Sequence, residues 1–369
     1  MRKTKRICWV IPYTLGQAPS QRFRFEQYLD VLAKEGYEHH FSPFWDQKAW
    51  QILYKPGHYF AKTLGLFRGM LRRYGLLFTF SRYDIIFIHR EFSPVGFPWP
   101  VWIMARLFNK AVVFDFDDAI WIPNSSTSNR WTEKFRSYGA TAKLIRWAHV
   151  VSCGNAYLQG FAKNFNPNSR LNPTTIDTVN HHNLISRPEE WPFVIGWTGT
   201  HSTISYLYDL APVIFALAEK YQIEWRIISD KNPGFDHPCV RFVPWNKATE
   251  IQDLATFHVG VMPLQTDPWS EGKCGFKALQ YMALGIPALV SPVGVNTKIV
   301  EHGIHGFQCE TEEDWRKALV TLIENRSLLA TMQEKTRQRI EEQFSVVSNT
   351  PNMLEILSLA QALADSPFS

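Results

Sequence analysis

The chain has 369 residues, long enough for two domains that each bury a sizeable core, and its 45% hydrophobic and 20% charged content excludes a disordered or fibrous chain. Five scattered cysteines (Cys8, Cys153, Cys239, Cys274, Cys309), with no pair at zinc-ligand spacing, exclude a disulfide framework and point to a reducing compartment. The net charge of +5 conceals an asymmetry: residues 1–192 hold 25 Lys/Arg against 14 Asp/Glu, the remainder 14 against 20, so the halves suit different partners.

The basic start, Met1 to Arg6, followed by ICWVIPYTLG, has the outline of an export signal. Its apolar run is short and broken by Pro12, which favours a first parallel strand over Ile7–Tyr13. A loop from Thr14 to Ser20 and a helix over Gln21–Glu35 follow, opening a doubly wound α/β unit with its ligand expected at the strand's carboxyl end. In that loop Gly16 lets the backbone approach a ligand, and Arg22 and Arg24 begin the helix.

Residues 47–83 carry Lys48, Lys55, Lys62, Arg68, Arg72, Arg73 and Arg82 and no acid, interleaved with aromatics including Trp50, Tyr54, Phe60, Phe67, Tyr74, Phe78 and Phe80. Positions 60, 64, 67, 70 and 71 fit one apolar stripe of a helix over Phe60–Tyr74. A basic helix with such neighbours suits an anionic membrane surface; nucleic acid is ranked below it because no recognisable nucleic-acid module accompanies the charge. No run of about 18 or more apolar residues occurs to form a spanning helix.

A strand over Asp84–His89 ends in His89, a short helix covers Trp102–Asn109, and a strand over Ala111–Phe116 runs into Asp117 and Asp118. Clustered carboxylates at a strand end suit either a divalent metal or direct substrate contacts; alternation along a strand puts Asp115 and Asp117 on one side and Asp118 on the other. Another strand, Val150–Cys153, and its helix complete a first domain over 1–180. Turn-rich residues 177–191 read as a linker. A second domain, 192–350, repeats the alternation: a strand from Phe193, a loop through Gly199, Thr200 and Ser202, strands over Trp225–Ile228, Val240–Val243 and Val259–Met262, and Trp245 beyond the second of these. An amphipathic helix over Asn352–Ala364, within 351–369, closes the chain.

The stretch from Gly272 to Gly294 organises the second half. Lys273, Cys274, Gly275, Phe276 and Lys277 form a glycine–lysine loop before a helix over Phe276–Leu284, with Gly285 ending the helix and Pro287 just beyond. Cations and glycine backbone at a helix N-terminus favour phosphate. The run from Lys277 through Gln280, Tyr281 and Met282 to Gly285-Ile286-Pro287 resembles the signature of retaining GT-B glycosyltransferases of the group 1 type. Ser20-Gln-Arg22-Phe-Arg24, FDFDDAIW, GNAYLQGFA and the Asp177 exit resemble their counterparts in order, so the resemblance covers nearly the whole chain.

That resemblance implies an α/β GT-B fold. Two Rossmann-like doubly wound domains would face a cleft, the first for the acceptor and the second for a nucleotide-diphosphate sugar, with the C-terminal helix packing back on the first. It implies a hexosyltransferase-like reaction with retention and no required metal or other cofactor. The family's paired glutamates fall here on Gly272 and Gln280; Gln280 can still hydrogen-bond a ribose hydroxyl. The family's diphosphate-binding Arg and Lys are missing from 193–218, which transfers that duty to Lys273 and Lys277, helped by Gly199 and Thr200. The resemblance brings the loop with Gly16, Arg22 and Arg24 to the donor phosphate or the acceptor. Asp117 stands where the family often has a catalytic histidine, with Asp118 and His89 as further catalytic candidates. The basic segment adds a lipid-linked or polysaccharide acceptor at the cytoplasmic face of a membrane. A non-catalytic GT-B binding protein and a sugar-nucleotide epimerase are the alternatives.

Overall fold

A computed structural model describes residues 4–53, 55–123 and 139–366; Tyr54 and the first three residues of the basic start lie outside them. The chain divides into two units, Met1–Thr174 with Asn349–Ser369, and Thr175–Ser348. The stretch 177–191, read as a linker, belongs to the second unit.

Six parallel strands form the first unit's sheet: β1 (Lys5–Ile11), β2 (Tyr37–Pro43), β3 (Ile85–His89), β4 (Ala111–Phe116), β5 (Val150–Cys153) and β6 (Ser169–Leu171), in the order β2-β1-β3-β4-β5-β6. β3 and β4 are buried along their whole length, which is why IIFI and AVVF read as continuous apolar runs rather than alternating ones. The strand order reverses between β1 and β3, so the Tyr13–Ser20 loop and His89 meet at the switch point where open parallel sheets take ligands.

Tertiary packing overrides helix propensity just after β1. The helix predicted over Gln21–Glu35 is three pieces, Pro19–Arg24, a 3-10 turn at Glu26–Tyr28, and Leu29–Lys34. Phe25 leaves helical geometry (φ −142°) and stacks its fully buried ring on Trp9, with centroids 4.8 Å apart. The helix expected over Trp102–Asn109 instead starts at Trp99, where Pro100 sits harmlessly in the first turn, and ends in a π turn at Ile103–Leu107. The last helix starts earlier than its stripe suggests and runs Val346–Asp365.

The second unit has its own six-stranded parallel sheet: β7 (Phe193–Gly199), β8 (Ile223–Ser229), β9 (Val240–Pro244), β10 (Val259–Met262), β11 (Ala288–Val290) and β12 (Gly306–Gln308), in the order β12-β11-β10-β7-β8-β9. Here the order reverses between β7 and β10. Two glycines let large rings lie against these strands: a Cβ on Gly196 would meet the Phe257 ring at 2.0 Å, and one on Gly260 the Tyr281 ring at 2.2 Å. The signature helix spans Phe276–Ala283, and Gly285 follows its end with φ +73°, the left-handed residue that stops it.

Both sheets use one histidine device. His149, just before β5, donates its backbone N–H to the Val112 carbonyl, while its Nδ1 accepts from the Val112 N–H at 3.2 Å. His258, just before β10, does the same with Val194, at 2.9 Å for each bond. Burial, together with the nearby Arg106 and Arg326 respectively, pushes each imidazole down to about 4, so both stay neutral and Nδ1 remains an acceptor.

Candidate functional site

In the second unit the candidate residues gather at the switch point. β7 ends at Gly199, where a Cβ would meet the Trp197 ring at 2.5 Å, so the backbone itself forms the wall there. The Thr198 N–H donates to the Tyr281 hydroxyl at 3.0 Å, which ties the end of β7 to the signature helix. Thr200 is exposed, its Oγ1 2.8 Å from Ser202 Oγ. His201 fastens the loop by two bonds of 2.6 Å to Asp230, one from its backbone N–H and one from Nδ1. Burial acts to raise the Asp230 carboxyl, but the His201 bonds outweigh it and hold it below its ordinary value.

The connection after β10 brings the lysines. Asp267 caps the turn Pro268–Glu271 through the backbone N–H groups of Trp269 and Ser270, which delivers the chain to Gly272. Gly275 is the N-cap of the signature helix with φ +67°, and a Cβ there would meet Ile299 Cδ1 at 2.1 Å, so conformation and packing both require glycine. Lys273 Nζ lies 4.7 Å from the centre of the Trp269 ring, and Lys277 Nζ 5.7 Å from that of Trp197. Two half-buried ammonium groups thus lean on aromatic faces beside the cap. Cys274 is buried, its Sγ directed to the Gly272 carbonyl, and Phe276 is half-buried.

Gln280 lies one turn deeper. It is 1% exposed, and its Nε2 donates to Glu250 Oε1 at 3.3 Å. Its amide donor, read from sequence as a ribose contact, therefore already serves a carboxylate. Glu250 is itself buried, in the first turn of a short helix, Glu250–Leu254. Neither Glu250 nor the His201–Asp230 clamp was singled out from the sequence. Asp230 directly follows a parallel strand, a position that could have flagged it; Glu250 has no local signal. Trp245 is partly exposed at the carboxyl end of edge strand β9.

In the first unit the candidates separate into two buried-to-surface clusters. Arg24 was expected at the donor phosphate or the acceptor, but it is 1% exposed and pairs with Asp115, while also donating to Ser152 Oγ and the Asn172 carbonyl. Its guanidinium is a core ion-pair member, enclosed by partners that satisfy it. His89 is fully buried; its Nδ1 is 2.8 Å from Asp115 Oδ2 and its Nε2 2.8 Å from Ser20 Oγ. A carboxylate only accepts, so Nδ1 donates to Asp115, while Nε2 shares its hydrogen bond with the Ser20 hydroxyl. Burial would raise the Asp115 carboxyl, yet Arg24 and His89 hold it far below the carboxylate range. Nε2 of His89 thus meets a hydroxyl, that of Ser20, which is partly exposed.

The second cluster lies just past the end of β4. Asp117 and Asp118 do not take opposite sides, because the strand stops at Phe116; both turn to one guanidinium, Arg90, at 3.1 and 3.0 Å. Arg90 adopts φ +64°, rare for arginine, and its charge is held firmly on by the two carboxylates against the cost of burial. Among the described residues no three His, Cys, Asp or Glu side chains converge as a metal-binding set. Gly16 has φ +77°, as a turn glycine does, but its N–H donates to Glu26 Oε2 at 2.8 Å, and Gln21 bridges Glu26 to Tyr13. The Gly16 N–H, expected to let the backbone approach a ligand, thus already serves a carboxylate. Arg22 is half-buried, its guanidinium 5.1 Å from the centre of the Phe23 ring.

Two Rossmann-like units, each with its candidate residues at a sheet switch point, define the GT-B class. Sucrose-phosphate synthase from Thermosynechococcus elongatus has the same fold, with a TM-score of 0.69 at 14% identity over 98% of this chain and 100% of that one. A glycosyltransferase from Rickettsia africae ESF-5 gives 0.67 at 11% identity over 98% and 100%, and HepE of Anabaena, in complex with UDP-glucose, 0.65 at 15% over 96% and 99%. No curated protein matches the sequence. Residues 194–325, which include the signature stretch, match the family "Glycosyl transferases group 1".

Proposed function

We propose that the chain transfers a sugar, with retention, from a nucleotide-diphosphate sugar to a glycan or lipid-linked acceptor. The observation that carries this reading is the glycine–lysine loop at the β7/β10 switch point, inside the segment that matches the group 1 family. As the bond between the anomeric carbon and the β-phosphate oxygen breaks, negative charge builds on the departing diphosphate. Lys273, Lys277 and the positive end of the signature helix are placed to stabilise it. The acceptor oxygen bonds the anomeric carbon on the face the phosphate leaves, and its proton passes to a phosphate oxygen. The lysines supply the countercharge, so the reaction proceeds without a bound metal. HepE, a relative in fold, is known in complex with UDP-glucose, which makes UDP-sugars the first donors to try.

Purified protein incubated with UDP-, GDP-, ADP- and TDP-sugars is expected to release nucleotide from one of them, with EDTA present, and to melt higher in its presence. Lys277→Ala is expected to lower the release rate about 100-fold, the scale of losing one well-placed charge-stabilising donor. Absence of binding by every donor at millimolar concentration would sink the reading. A second reading, donor binding without turnover, is favoured by Gly272, which stands where the first of the family's paired glutamates would be. Stabilisation by a donor with no nucleotide release, with any acceptor tried, would establish it.

A further inference from the structure

The helix Tyr59–Gly75 is mounted with its apolar stripe outward. At about 100° per residue, Phe60, Leu64, Phe67 and Leu71 fall within an arc of roughly 60°. Gly65, Gly69 and Arg73 lie about opposite, and these are the helix's buried residues. The two glycines allow the close approach: a Cβ on Gly65 would meet Ala49 Cβ at 2.9 Å, and one on Gly69 the Phe44 ring at 2.6 Å. Arg73 locks the seat, donating to the Ser42 and Ile11 carbonyls at 2.6 Å each and to that of Phe92. Met70, counted with the stripe from sequence, turns inward against the Phe44–Trp45–Ala49 cluster. Phe60 is left 83% exposed, Phe67 59%, Leu71 57% and Leu64 36%, and Phe78, just past the helix, 87%.

The charges divide in the same way. Arg73 is internal, and Arg72 is held by the Pro43 and Phe44 carbonyls. Lys48, Lys55, Arg68 and Arg82 remain exposed, and residues 47–83 contain no Asp or Glu. Among the described residues no helix is long and apolar enough to cross a membrane.

We propose that this face docks on an anionic lipid bilayer, with Phe60, Leu64, Phe67, Leu71 and Phe78 entering the boundary of headgroups and acyl chains and the exposed cations pairing with lipid phosphates. Apolar side chains in a row with cations and no acids match such a surface in both respects. A nucleic acid satisfies the charge and leaves the apolar row in water. A second copy would cover the row and bring like charges together. The anionic leaflet is the cytoplasmic one, which sets this face against the inner side of the membrane. The inference stands apart from donor binding at the glycine–lysine loop, since every residue in it belongs to the first unit and that loop to the second.

The test is flotation of the full chain with vesicles of phosphatidylcholine alone or mixed with phosphatidylglycerol. The chain is expected to float with the mixed vesicles, to be released by high salt, and to bind pure phosphatidylcholine far less. The double variant Phe60→Ser/Phe67→Ser is expected to partition about 100-fold more weakly, the scale of two lost phenylalanine insertions. Both sites are exposed, so its melting temperature and its donor-induced shift should be unchanged, which separates failure here from failure of the donor reading. Equal flotation of variant and parent, or no flotation of either, overturns the proposal. Self-association of the parent that the variant abolishes, seen by sedimentation without vesicles, also overturns it and gives the face to a second copy.

Discussion

Arg24 shows how far a single residue can mislead. In sequence it stands beside Arg22 at the start of a helix after a loop, where a cation next to phosphate is a natural reading. Its partner, Asp115, lies on β4, 91 positions away, and no local pattern announces the pair. Arg24→Ala would leave Asp115 buried against His89 and Ser152 without its counter-ion, and should cost about 3–5 kcal/mol in denaturant unfolding. The donor affinity of whatever remains folded should be unaffected; a stable variant with weakened donor binding would restore the phosphate role. Gly275 was legible as the start of the signature helix, where it is the N-cap with φ +67°. Gly275→Ala should lose both stability and donor affinity, measurable by melting with and without nucleotide, since the left-handed backbone costs of order 1 kcal/mol and Ile299 must also move.

At the level of elements, the strands were readable because fully buried parallel strands write themselves as apolar runs, and the signature helix because its stop is chemical: Gly285, then Pro287. The helix after β1 was not, since Phe25 breaks it to stack on Trp9, a partner chosen by the sheet. Of the Tyr59–Gly75 helix the stripe was legible apart from Met70, but its buried side was not, because the information lay in Gly65 and Gly69. The histidine device gives this level its pH dependence. His149 and His258 titrate near 6.5 when unfolded and at about 4 when folded, so their contribution is complete above pH 6.5 and is lost as pH falls toward 4. Allowing for partial solvent screening, each should cost about 1–2 kcal/mol over that range. The melting temperature should fall from pH 7 to pH 5, and His149→Asn/His258→Asn, which keeps an acceptor that cannot titrate, should flatten the profile.

For the whole molecule, the two units differ in how they are drawn from the chain. The second is one continuous segment, Thr175–Ser348, and holds Gly199, Thr200, the glycine–lysine loop and Gln280. Expressed alone it should fold cooperatively and keep the donor-induced melting shift within a few-fold in affinity. The first needs two segments: Met353, Ile356, Leu357 and Ala360 of the last helix are buried, Lys5 Nζ donates to Gln361, and Asn352 donates to the Leu171 carbonyl and the Asn172 side chain. A fragment ending at Thr174 should therefore expose this seat, and circular dichroism should show it molten or aggregated unless a peptide of residues 349–366 is added back.

On the ribosome, that discontinuity sets a timetable. The segment that seats against β1 emerges after the entire second unit, so the first unit must wait, its sheet formed but one side uncovered, through the synthesis of some 170 intervening residues. Any message cut short within those residues yields a chain whose amino-terminal half cannot close, and which offers chaperones and proteases an apolar flag before it can meet a lipid.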